Sequence, residues 1–124
     1  MSPLLLVMLG GALGSGGRYL TGRVLTEALD SGFPFGTLAV NWLGCLAMGV
    51  LAGTLARIGG HEGWRLFIGV GLLGGYTTFS AFSLDTITLI ERGQGAVALA
   101  YVALSVLGSL AALWAGLSLT RIFA

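Results

Sequence analysis

Four apolar stretches, at about residues 3–25, 35–56, 66–90 and 94–123, constrain this chain more than any other feature. Each is long enough to cross a hydrocarbon core of about 30 Å. Only short polar turns separate them, at 27–34 (EALDSGFP), 57–65 (RIGGHEGWR) and 91–93 (ERG). Charge is too scarce to coat a soluble globule: 9% of the 124 residues are charged, against about 25% in a typical soluble domain. An all-α integral membrane protein with four transmembrane helices follows, as one four-helix domain over 1–124. The six basic residues are all Arg, and no basic run or tail points to nucleic acid. One Cys (Cys45, in an apolar run) and one His (His61, in a polar turn) leave almost no material for a metal cluster or a nucleophile–base pair. The start, MSPLLLVML, lacks a basic leader and reads as the beginning of a retained helix.

The third stretch is not a plain anchor. Its 71–83 portion, GLLGGYTTFSAFS, sets Gly74 and Gly75 before Thr77, Thr78, Ser80 and Ser83, with Tyr76, Phe79 and Phe82 interleaved. Adjacent glycines weaken a helix, and hydroxyls in hydrocarbon need partners. Irregular backbone at membrane depth survives only where protein covers it or where it lines a wet cavity. A helix break near Gly74–Thr78, beside a site for a small polar solute or ion, is the expectation. The bland alternative is hydroxyls bonded back to their own helix and glycines that permit close packing.

Other segments add polar groups at helical spacing. In the first, Gly10 and Gly14 have the small-xxx-small spacing of close helix packing. Arg18, deeper than Arg23, is either a snorkelling side chain or a cation at a vestibule that attracts anions. In the second, Thr37 and Asn41 share a face that Gly44 and Cys45 continue. Asn41 either bonds to a neighbouring helix or offers its amide to a passing anion. In the fourth, Tyr101, Ser105 and Ser109 recur every four residues, a polar track about 12 Å long. Trp64 beside Arg65 fits the aromatic belt at a membrane surface. Asp85 is an acid of unsettled depth.

With four crossings, Arg57, Arg65 and Arg121 flank one side and Arg18, Arg23 and Arg92 the other. That balance removes the usual bias for orientation. Insertion both ways round, and an antiparallel homodimer with an in-plane two-fold axis, follow as expectations. Hydroxyl and amide donors replace water around a small hard anion, and the edge of a phenyl ring carries the positive part of its quadrupole. Phe79 and Phe82, three residues apart, project to roughly one face. No ring of acids is present to draw cations.

The motifs TLAVNWLG at 37–44 and GGYTTFSAFS at 74–83, with GGRY at 16–19 and the Tyr101/Ser105/Ser109 spacing, closely resemble the Fluc (CrcB) fluoride channels of microbes. The likeness runs over essentially the whole chain. It implies an antiparallel, dual-topology homodimer in the cell inner membrane, with two pores that passively export fluoride from the cytoplasm. It further implies Phe79 and Phe82 as ring-edge fluoride contacts and Asn41 as a pore donor. Tyr101, Ser105 and Ser109 would form the polar track, with Thr37 and Thr78 near the pore and Arg18 matching the family's first-segment Arg. A structural Na⁺ on the two-fold axis would be held by the Gly74 and Thr77 carbonyls. One departure is Asp85, where the family pattern has Glu. A dual-topology drug–proton antiporter is the runner-up; it needs an embedded acid, and the first segment has none before Glu27. A purely structural subunit leaves the hydroxyl track and the Phe pair unexplained, and an enzyme has no chemistry to work with.

Overall fold

The computed structural model describes residues 1–123, and among them there is no strand. In chain order come α1 (Pro3–Leu29), α2 (Phe35–Ile58), α3 (62–76), α4 (Phe79–Glu91) and α5 (Gly95–Ile122). Within α3, one α-turn at Glu62–Trp64 leads into a π-wound stretch, Arg65–Leu73, and a last α-turn at Gly74–Tyr76. Together α3 and α4 make the expected third rod, broken at Thr77 and Thr78.

The helix ends follow from local chemistry. Ser2 Oγ accepts the Leu5 N–H at 3.1 Å, and Pro3 takes the first helical position, where it forfeits no bond. Helix α1 runs past the expected end near 25 to Leu29. Arg23 pairs with Glu27 one turn later at 3.0 Å and supports the extra turn. Asp30, at φ 34°, then ends the helix in the left-handed region. At the other turn, Gly59 at φ 67° stops α2. The third rod starts at Glu62, ahead of residue 66, where Glu62 accepts from Arg65 Nε at 3.0 Å. Trp64 is exposed there, as a surface-belt residue should be.

Three rods, Phe35–Ile58, Glu62–Glu91 and Gly95–Ile122, are long and apolar enough to cross a membrane. Helix α1, at 27 residues, spans about 40 Å; its glycines and Arg18 make it the least apolar of the long helices. The chain is an all-α, multi-pass membrane protein.

Lipid offers no hydrophobic drive for helices to pair, so close van der Waals fit has to do it. Helix α2 packs chiefly on α5. A Cβ on Gly49 would lie 2.1 Å from the Leu113 carbonyl oxygen, and one on Gly116 2.3 Å from that of Leu46. The two backbones touch. Helix α1 packs on α3 the same way: a Cβ on Gly10 would meet the Phe67 carbonyl oxygen at 2.2 Å, and one on Gly14 that of Leu72 at 2.0 Å. This is the seam expected from the Gly10/Gly14 spacing. Helix α4 stands further off. It joins the rest mainly through Phe82 and Leu89, which pack with Leu38, Ala98 and Tyr101.

Candidate functional site

The break lies just beyond the glycine pair. Gly74 and Gly75 stay helical, while Thr77 (φ −83°, ψ 159°) and Thr78 (φ −153°, ψ 122°) are extended. Gly75 serves packing: a Cβ there would come within 2.7 Å of the Gly11 carbonyl oxygen. Asn41 of α2 and the threonines' own side chains hold the extended pair, and α1 holds the turn before it. Thr77 Oγ1 donates back to the Leu73 carbonyl at 3.0 Å, and its methyl faces Gly44, where a Cβ would sit 2.2 Å away. The Asn41 amide meets Thr78 twice. Its Nδ2 donates to the Thr78 carbonyl at 3.1 Å, and its Oδ1 accepts the Thr78 N–H at 2.8 Å. Thr78 Oγ1 caps α4 by accepting the Ala81 N–H at 3.1 Å. From α1, Arg18 Nε donates to the Gly75 carbonyl at 3.2 Å, and Thr21 Oγ1 lies 3.0 Å from the Tyr76 hydroxyl. Arg18 thus links α1 to the end of α3 through its Nε.

Beside the break is a cavity of about 310 Å³. Asn41, Thr78, Phe79, Phe82, Ser105 and Ser109 line it, together with Cys45 and Thr77. Every lining residue is neutral. The Phe79 and Phe82 rings lie 5.4 Å apart, tilted at 56°. Phe82 is buried at 9% exposure, whereas Phe79 is 75% exposed at the cavity's open side. Ser105 is 5% exposed, and its Oγ has no hydrogen-bond partner. Buried polar atoms in folded proteins nearly always have one. The Tyr101 hydroxyl lies near it, one turn back on α5.

Not all the expected residues converge. Tyr101 sits behind Phe82 in the cavity wall, at 0% exposure, with ring centroids 5.3 Å apart. Its hydroxyl donates to Asp85 Oδ2 at 3.1 Å. The Tyr101/Ser105/Ser109 line therefore divides, with the serines on the cavity and the tyrosine in the wall. Thr37 and Arg18 border a second cavity, about 650 Å³, with Arg23, Asp85 and Arg92 at the end of α1 and α4. Three arginines against Asp85 and Glu27 leave this outer cavity with a positive balance. Cys45, read from sequence as a packing residue, lines the inner cavity; its place four residues after Asn41 was the signal for that.

The carbonyls of Gly74 and Thr77 accept no hydrogen bond from outside their own helix among the described residues. Thr78 N–H would close the turn on Gly74 but is taken by Asn41. Free carbonyls at a helix break are hard oxygen donors suited to a small cation.

These features define a helical membrane protein with a neutral, mainly apolar cavity at a helix break, into which a few hydroxyls and the Asn41 amide project, the class that passes small solutes or ions. The chain belongs to the CrcB family: residues 5–117 match the family described as CrcB-like protein, Camphor Resistance (CrcB). It is 52% identical over 122 residues to the fluoride-specific ion channel FluC of Sphingopyxis alaskensis, covering 98% of this chain and 97% of the relative. It is 57% identical over 115 residues to the protein of the same name from Paracoccus denitrificans, covering 93% and 91%. The resemblance read from TLAVNWLG and GGYTTFSAFS is thus to the right family.

Proposed function

We propose that the protein is a fluoride channel that passively drains fluoride from the cytoplasm. The inner cavity carries this reading: two serines, Thr78, the Asn41 amide and two Phe rings in an otherwise apolar wall, with no carboxylate. Hydroxyl donors replace the hydration shell of a small hard anion, and ring edges add weak positive charge without trapping it. Asn41 has one amide hydrogen beyond the one given to Thr78, free to face the cavity. The names of the relatives support fluoride as the ion. Hydrogen fluoride crosses lipid and ionises inside a neutral cell, so a passive path outward relieves its accumulation. The positive outer cavity around Arg18 gathers anions on one side of the Tyr101–Phe82 wall.

The working unit we propose is an antiparallel, dual-topology homodimer with two pores, in the inner membrane of a microbial cell. The even distribution of Arg supports it. So does the break: Gly74 and Ser80 are exposed and Phe79 overhangs an open cavity, which at membrane depth calls for covering protein. A Na⁺ ion on the two-fold axis fits the free Gly74 and Thr77 carbonyls. When bound, it would supply positive charge that ties two broken helices together.

Efflux from liposomes tests the reading, with fluoride and chloride electrodes and a K⁺ ionophore to clamp charge. Fluoride release that depends on the ionophore, with negligible chloride release, is the expected result. No fluoride release from well-folded protein in Na⁺ overturns it. Cysteine-accessibility labelling checks the dimer separately; one uniform orientation would overturn dual topology.

A further inference from the structure

Two glycine contacts bring α2 and α5 into backbone contact at Gly49 and Gly116, yet a few turns away the same helices part around the cavity. Beside that cavity, on the flank away from it, the indole of Trp42 reaches from α2 to α5. Its Nε1 donates to the Leu104 carbonyl at 3.0 Å. Gly108, one turn beyond Leu104, makes room for the ring. A Cβ at Gly108 would lie 2.3 Å from Trp42 Nε1, 2.4 Å from Cε2 and 2.6 Å from Cζ2. The Nε1–Cε2–Cζ2 side of the indole therefore occupies the space a side chain at Gly108 would need.

We infer that Trp42 and Gly108 form a positioning pair, a strut and its seat, that sets the width of the cavity between Asn41 and the Ser105/Ser109 pair. Successive residues on a helix point about 100° apart. Asn41 and Trp42 thus reach two different walls from adjacent positions: Asn41 the break at Thr78, Trp42 the wall helix α5. On α5, Leu104 and Gly108 each precede a cavity serine by one residue. Moving the indole moves both serines relative to Asn41. The carbonyl oxygen has two lone pairs, so Leu104 can take the indole N–H and still serve its own helix. In lipid no water competes for that N–H. Because Trp42 is 37% exposed, it is only partly buried as packing mass, and its fixed N–H is what makes it a strut.

The inference rests on the fluoride reading, because the size of the anion accepted is what the width controls. A gap set too wide or too loose discriminates poorly between a small anion and a larger one. The test measures fluoride and chloride efflux from the same liposomes for the full-length protein and its variants. Trp42→Phe retains most of the ring and removes the N–H. We expect its fluoride-to-chloride ratio to fall about three- to tenfold, the scale of one neutral hydrogen bond. Gly108→Ala should lower the ratio similarly, and that effect should disappear in a Trp42→Ala background, where the methyl has nothing to displace. A merely structural role would lower yield or stability and leave the ratio where it was. If wild type releases fluoride selectively while monodisperse Trp42→Phe and Gly108→Ala proteins hold the wild-type ratio, the inference is overturned. If wild type itself releases no fluoride, the functional proposal fails instead.

Discussion

Helix α2 meets its neighbours in two opposite ways. Along Gly49 it lies on α5 with no side chain between them, and carbonyl oxygens stand where a Cβ would be. At Asn41 and Trp42, further toward its start, it holds its neighbours off with polar side chains that end on backbone atoms. The first region is a seam, the second a frame around empty space. In lipid, tight contact has to come from shape alone, whereas open space at membrane depth has to be built from satisfied polar groups. The same helix does both, and the change from glycine to Asn and Trp marks where one gives way to the other.

The largest effect is expected at the seam. Gly49→Leu would drive a side chain into the α5 backbone, which cannot give way. Overpacking commonly costs about 1–3 kcal/mol even where side chains can adjust. The yield of monodisperse protein in detergent should fall nearly to nothing; a normal yield would contradict a backbone-tight seam.

Next is the frame at the break. Asn41→Ala strands the N–H and the carbonyl of Thr78, each worth about 1–3 kcal/mol when left unpaired. Thermal unfolding in detergent should shift down clearly, and fluoride efflux should drop with it. Asn41→Asp keeps the acceptor for Thr78 N–H but sets a negative charge on the path, so it should cut flux more than its stability loss explains.

The two phenylalanines should separate. Both Phe79→Ile and Phe82→Ile remove a ring edge and should reduce fluoride flux about tenfold or more, in the range of a lost positioned electrostatic contact. Only Phe82→Ile should also lower the unfolding temperature, because Phe82 packs with Tyr101 while Phe79 is exposed. Equal stability changes would argue against this division.

The smallest effect on stability is expected from Ser105→Ala. Its hydroxyl is buried without a partner, so its removal should leave the unfolding temperature unchanged or slightly raised. Flux should still fall if that hydroxyl serves the ion. A marked loss of stability would mean that Ser105 has a structural partner after all.

Much of the site was legible from residue types. Thr77, Thr78 and the Phe pair inside an apolar stretch announced a break and a polar lining, and helical spacing put Ser105 and Ser109 on one line. Spacing could not say which neighbour each face would meet. Tyr101 belongs to that line but is sealed behind Phe82 and turned to Asp85. Arg18 was open to two readings by its place in the chain, a snorkelling side chain or a vestibule cation, and neither could show that the packing of α1 on α3 brings the Gly75 carbonyl within its reach. Of the glycine pair, which helix propensity marks as the break, both stay helical; Gly75 serves contact with Gly11 on α1, and Gly74 is exposed.

By itself, then, the sequence determined the solvent this protein lives in, the number of long helices, the existence of a break in the third and the chemistry available near it. Those depend on composition and on periodicity, which act within about one turn of a residue. Only the tertiary structure decided that Asn41 closes a two-point bond with Thr78, that Ser105 is left unpartnered, and that an indole reaches from α2 to α5 beside a seam of touching backbones. These are distances between segments far apart in the chain, set by how glycines let particular helices approach, and no local pattern records them.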